Sequence, residues 1–212
     1  MEVKENHITF EKSGRFFTYG NPEKASHLLV ALHGYGQLAN YFIRKFNVLN
    51  PDKYFIVCPE GLHRFYKTGT NGRVGASWMT KEDRFADIKD YVSFLDELND
   101  DLTRQHTFEQ RTLLGFSQGG ATASRWIGYG SCSFDTFLLW AAVFPPDMGT
   151  SVKTKFNTLK NYFVIGSKDE YTSMDQAKTY HNSLNSDGMN FEFVKFEGNH
   201  SIDIKLLQNL IK

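Results

Sequence analysis

The chain has 212 residues, 41% of them hydrophobic and 15% aromatic, which suits one folded domain with a full apolar core and excludes disorder. Its 24 basic and 24 acidic residues cancel, so no excess charge is present to bind nucleic acid or an anionic membrane surface. No window approaches the ~18 consecutive apolar residues of a spanning helix, and Cys58 and Cys132 form no paired-cysteine motif. The opening MEVKENHITFEK has no apolar leader, and two unpaired thiols suit a reducing compartment; the expectation is a cytoplasmic protein.

In chain order, Ile8–Lys12 and Arg15–Tyr19 flank Ser13-Gly14 as the two arms of a hairpin do. The apolar run His27–Leu32 reads as a strand covered on both faces of a parallel sheet. Tyr54–Cys58, Arg111–Phe116, Thr136–Ala142, Asn161–Ile165 and Phe191–Phe196 repeat that pattern. Helical spacing appears near Leu38–Phe46, from about Lys81 to Leu102, and over Gln118–Tyr129, Ser173–Ser186 and Ser201–Ile211. The longest of these carries Phe85, Ile88, Val92, Leu95, Leu98 and Leu102 on one face. Two irregular stretches, Gly61–Thr80 and Val143–Lys160, are long enough to be functional loops. These elements predict a single α/β domain over residues 1–212. Its sheet is mostly parallel with an antiparallel N-terminal hairpin, helices cover both faces, and no segment suffices for a large cap.

Gly115-Phe116-Ser117-Gln118-Gly119 matches G-x-S-x-G, a short pattern that chance alone often produces. Its setting adds weight, because an apolar strand ends at Phe116 and a helical pattern opens at Gln118. A serine on so tight a strand-to-helix turn has its hydroxyl exposed, and glycines two residues to either side remove the Cβ atoms that would collide. An alcohol is a weak nucleophile at neutral pH, so Ser117 needs a base, and the base a carboxylate to orient it. On this kind of sheet the acid and then the histidine follow the serine at the ends of later strands. His181 sits inside a helical pattern, whereas His200 follows the last strand. Asp169 follows Asn161–Ile165 through Gly166-Ser167-Lys168; Glu170 is the adjacent alternative, Asp147 stays open, and Asp135 precedes its strand. Two N–H donors complete an oxyanion hole: Gln118, and Tyr35 in the loop Leu32-His33-Gly34-Tyr35-Gly36-Gln37, where His33 reads as a brace.

Together LHGYG, GFSQGG, Gly166-x-x-Asp169 and Gly198-x-His200-x-Ile202 resemble the carboxylesterase/phospholipase family of α/β-hydrolases, which includes acyl-protein thioesterases and small bacterial esterases. The resemblance runs from residue 32 to 202. It implies the α/β-hydrolase fold, Ser117, Asp169 and His200 as a catalytic triad, and Tyr35 and Gln118 as oxyanion donors. Gln37 stands where many thioesterase members carry an acidic residue, and Tyr35 where a smaller apolar residue is common.

The function expected is hydrolysis of a small-molecule carboxylic ester, thioester or lysophospholipid through an acyl-enzyme, with no cofactor, no metal and no nucleic-acid partner. A homodimer is left open, as are acyl chain length and leaving group. Trp78, Phe144 and Met148, in the two irregular stretches, are candidates for the substrate pocket. Two rival readings are a hydrolase-like binding protein without turnover and a dinucleotide-binding oxidoreductase. The second rests on Gly34-x-Gly36-x-x-Ala39 after a strand, with Glu60 as the ribose acid.

Overall fold

The structure, a computed structural model, describes residues 2–212. In chain order the elements are β1 (Phe16–Tyr19), β2 (His27–Leu32), α1 (Ala39–Phe42) running into a 3₁₀ turn, β3 (Tyr54–Pro59), β4 (His63–Tyr66), β5 (Val74–Ser77) and α2 (Arg84–Gln105). Then follow β6 (Gln110–Phe116), α3 (Gln118–Tyr129), β7 (Thr136–Trp140), α4 (Thr150–Lys153) with a second 3₁₀ turn, β8 (Lys160–Gly166), α5 (Met174–Ser186), β9 (Phe191–Phe196) and α6 (Ile204–Leu210). Seven strands form one sheet in the order β1-β3-β2-β6-β7-β8-β9, parallel except for β1.

Alternation within the apolar strands explains the helices on both faces. Leu28, Val30 and Leu32 of β2 belong to the core shared with α2, α3 and α5, while Leu29 and Ala31 belong to the one shared with α1, α6 and the 3₁₀ turn after α1. Period-two geometry sends successive side chains to opposite faces, so a continuous apolar run is what a sheet covered twice requires. No helix among the described residues is long and apolar enough to cross a membrane.

Two expectations are corrected. The N-terminal hairpin does not form: residues 8–12 are not a strand, with Ile8 and Phe10 exposed, and β1 instead pairs antiparallel with β3 through Phe16–Pro59 to Tyr19–Ile56. A hairpin of 8–12 with β1 would stand alone against solvent, whereas the edge of β3 offers β1 a full ladder. The stretch Gly61–Thr80 is not irregular throughout, since β4 and β5 pair into an antiparallel ribbon from His63–Ser77 to Tyr66–Val74. The short exposed β4 lacks the apolar alternation that marks a strand in sequence.

Candidate active site

Ser117 stands between the end of β6 and the first residue of α3 with φ 54° and ψ −121°. Non-glycine residues reach positive φ only at a cost on the order of 1–3 kcal/mol, and the flanking glycines explain how the turn closes. A Cβ at Gly115 would lie 2.5 Å from the Gly120 Cα and 2.6 Å from the Gly119 carbonyl oxygen. One at Gly119 would lie 2.7 Å from the His33 carbonyl oxygen. The Ser117 N–H donates to the Trp140 carbonyl at 3.0 Å, tying the turn to β7.

Asp169 and His200 come from the loops after β8 and β9, which are sewn together. The Lys168 N–H donates to the Gly198 carbonyl at 2.8 Å, the Ser167 N–H to the Phe196 carbonyl at 2.8 Å, and Trp140 Nε1–H to the Ser201 carbonyl at 2.9 Å. Asp169 Oδ1 accepts from the Tyr171 N–H (2.9 Å) and the Thr172 N–H (3.1 Å), leaving Oδ2 to meet His200 Nδ1 at 2.7 Å. That carboxylate is 1% exposed and the imidazole 16%. The acidic neighbour Glu170 meets the backbone instead, accepting from the His200 N–H at 2.9 Å. Asp147 is paired with Arg84 and Arg125.

Ser117 and His200 line one cavity of about 540 Å³, with Gly34, Tyr35, Gln37, Phe116 and Gln118. No hydrogen bond joins Ser117 to His200 among the described residues, an arrangement familiar in unliganded sites, where this contact tightens on binding. The N–H groups of Tyr35 and Gln118 have no hydrogen-bond partner among the described residues. The Gly34 N–H is already taken by Gln37 Oε1 at 2.9 Å.

Of the side chains that hold this loop, His33 acts as the brace expected of it, while the side-chain role of Gln118 was not foreseen. Gln118 Nε2 donates to the Met79 carbonyl at 2.9 Å, and Gln118 Oε1 accepts from the Trp78 N–H at 3.2 Å. A polar residue after the serine was the available signal, but nothing in the sequence gives its partner. His33 is fully buried: its Nδ1 donates to the Gly34 carbonyl (2.8 Å) and its Nε2 accepts from the Gly61 N–H (3.0 Å). Burial holds this imidazole below its ordinary pKa, against the Gly34 carbonyl and the Glu60 carboxylate, which favour the proton. The folded state keeps His33 neutral, while the unfolded chain takes up its proton near pH ~6.5. The contribution of His33 to stability is therefore complete above that pH and lost as pH falls. Melting temperature is expected to drop between pH 7.5 and 5, and to drop less in His33→Gln; equal drops would contradict the assignment.

The three pocket candidates are corrected. Trp78 is fully buried, its Nε1–H donates to the His33 carbonyl at 2.9 Å, and its ring lies 5.1 Å from His33. Phe144 packs edge-on against Phe156 at 5.1 Å, and Met148 is 3% exposed, against Gly128. None of the three lines the cavity, whose apolar wall is Ala121, Ala141, Ala142 and Val143 beside Tyr171 and Thr172. Large side chains in loops were buried as anchors here, and small ones line the space. Trp78→Ala is expected to cost about 3–5 kcal/mol of stability, read by denaturant unfolding. Near-wild-type stability with altered KM would restore the pocket role.

The geometry also removes the dinucleotide reading. The Ala39 N–H, at the start of α1, donates to Glu60 Oε2 at 3.1 Å, and Glu60 is 1% exposed and held by Arg15 Nε at 3.0 Å. The acid meant for a ribose thus caps the helix meant for a pyrophosphate. One cluster with metal-ligand chemistry occurs among the described residues, Glu5, His7 and Asp83; it is exposed and none of it lines the cavity.

A family model described as Phospholipase/Carboxylesterase matches residues 15–212. No curated protein matches the chain by sequence. Among solved structures, esterase PE8 superposes with a TM-score of 0.65 at 20% identity, covering 94% of this chain and 95% of that one. Zea mays acyl-protein thioesterase 2 gives a TM-score of 0.70 at 15% identity, covering 94% and 96%. The Bacillus cereus carboxylesterase gives 0.62 at 14% identity, covering 93% and 91%. At such identities the likeness speaks for the fold, which is the α/β-hydrolase fold.

Proposed function

Since the chain belongs to the phospholipase/carboxylesterase family, we propose that it is a serine hydrolase that cleaves carboxylic esters through an acyl-enzyme, with Ser117 as nucleophile, His200 as base and Asp169 as its orienting acid. The observation that carries this reading is the bond between His200 Nδ1 and the buried Asp169 carboxylate, on a ring that shares its cavity with Ser117. With Nδ1–H held by the acid, His200 presents Nε2 as the free base. Ser117 Oγ attacks the ester carbonyl as Nε2 takes its proton, and the Tyr35 and Gln118 N–H groups receive the oxyanion. Collapse expels the alcohol, which leaves with that proton, and water then releases the acid by the reverse sequence.

The binding-protein alternative predicts the same fold without turnover, so kinetics separate the two. With p-nitrophenyl acetate the expected result is a burst of nitrophenolate close to one equivalent per chain, followed by a slower steady rate. A linear trace no faster than free imidazole would contradict the acyl-enzyme.

A further inference from the structure

We infer that Tyr171 is the wall of the leaving-group subsite and that the alcohol released is flat, aromatic and uncharged. The inference rests on the acyl-transfer reading above and adds a substrate class to it. In that reaction the Ser117 Oγ–acyl bond forms, the bond from the carbonyl carbon to the alcohol oxygen breaks, and the proton held on His200 Nε2 passes to that oxygen. The leaving group therefore lies beside His200 at the moment of cleavage.

Two rings lie against that imidazole within the cavity. Phe116 lies 5.0 Å away, is 3% exposed and is spent on the core. Tyr171 lies 4.7 Å away, edge to face, yet is 79% exposed. Its backbone is not loose, because its N–H is one of the two donors to Asp169 Oδ1. The acid that orients the base thus also fixes the ring beside it. Tyr35, the other exposed aromatic of the lining, already stacks on Phe65 at 5.2 Å. That leaves Tyr171 as the aromatic surface next to His200 with area to give a ligand. Apart from His200, the lining carries no Lys, Arg, Asp or Glu, so a charged leaving group has no counter-ion there. A planar neutral group gains from offset or edge contact with such a ring by an amount corresponding to about 2- to 12-fold in rate or affinity.

The test compares 2-phenylethyl acetate with 2-cyclohexylethyl acetate. Both give the same acetyl-enzyme, so their ratio of kcat/KM reads the leaving-group side alone, and the more apolar cyclohexyl ring works against the expected preference. The wild type is expected to favour the phenyl ester by about 3- to 10-fold. Tyr171→Phe is expected to keep the ratio and Tyr171→Ala to bring it to about one. A wild-type ratio near one, an unchanged ratio in Tyr171→Ala, or no cleavage of either ester by an enzyme that still shows the p-nitrophenyl acetate burst would each overturn the subsite while leaving the serine hydrolase standing. A p-nitrophenyl acetate trace that is linear and no faster than free imidazole would remove the hydrolase reading itself, and the subsite with it.

Discussion

Ser117→Ala is expected to lower kcat/KM by about 10⁴- to 10⁶-fold, with the fold and its melting temperature close to wild type. The rate loss follows from removing the attacking oxygen while the base, acid and oxyanion donors stay in place. Stability is unaffected for a separate reason. The strain of φ 54° at this position belongs to any residue with a Cβ, and the contacts that hold the turn, such as the Ser117 N–H to the Trp140 carbonyl, are made by backbone. Ser117→Gly sharpens the argument, since it removes the same oxygen and relaxes that strain. It is expected to be inactive but more stable than Ser117→Ala by about 1 kcal/mol. Residual turnover in either variant within 100-fold of wild type would point to a different nucleophile.

Asp169→Asn is expected to cost about 10⁴-fold in kcat, through the tautomer of His200. The two backbone donors at Oδ1, Tyr171 N–H and Thr172 N–H, require an acceptor there. The asparagine must therefore turn its carbonyl toward them and its NH₂ toward His200 Nδ1. A donor in that place makes Nδ1 the acceptor and moves the ring proton to Nε2, where it blocks transfer from Ser117. Glu170→Gln supplies the contrast. Glu170 accepts only the His200 backbone N–H, which an amide oxygen also accepts, so a loss under about 10-fold is expected. Steady-state kinetics on both variants separate the two carboxylates. Equal effects would mean that the acid has been assigned to the wrong residue.

Much of this architecture was legible in the chain because strand and helix patterns were unambiguous where both faces are buried. His27–Leu32 and Gln118–Tyr129 have the bounds that their apolar patterns indicate. Where one face is wet the pattern weakens. The β4–β5 ribbon went unseen, and Ile8–Lys12 read as a strand although no sheet edge receives it. The meeting of Asp169 with His200 follows from the rule that sites lie beyond the carboxyl ends of parallel strands, and that rule needs only the order of elements. The pocket wall was not legible. Trp78, Phe144 and Met148 are the residue types expected in a pocket, and also those expected to anchor a loop in a core. The choice between these depends on where the loop folds. Gln118 and Glu170 bond to backbone groups distant in sequence, which no local pattern reports.

An activated serine at position 117 is the premise of the proposed function, and one measurement addresses it without a choice of substrate. The intact mass of the wild-type protein, of Ser117→Ala and of Asp169→Asn is taken after exposure to a fluorophosphonate. One adduct is expected on the wild type, mapping to the peptide containing Ser117, with none on Ser117→Ala and only slow labelling of Asp169→Asn. A folded wild type that takes no adduct, or an adduct that persists in Ser117→Ala, would contradict the central claim.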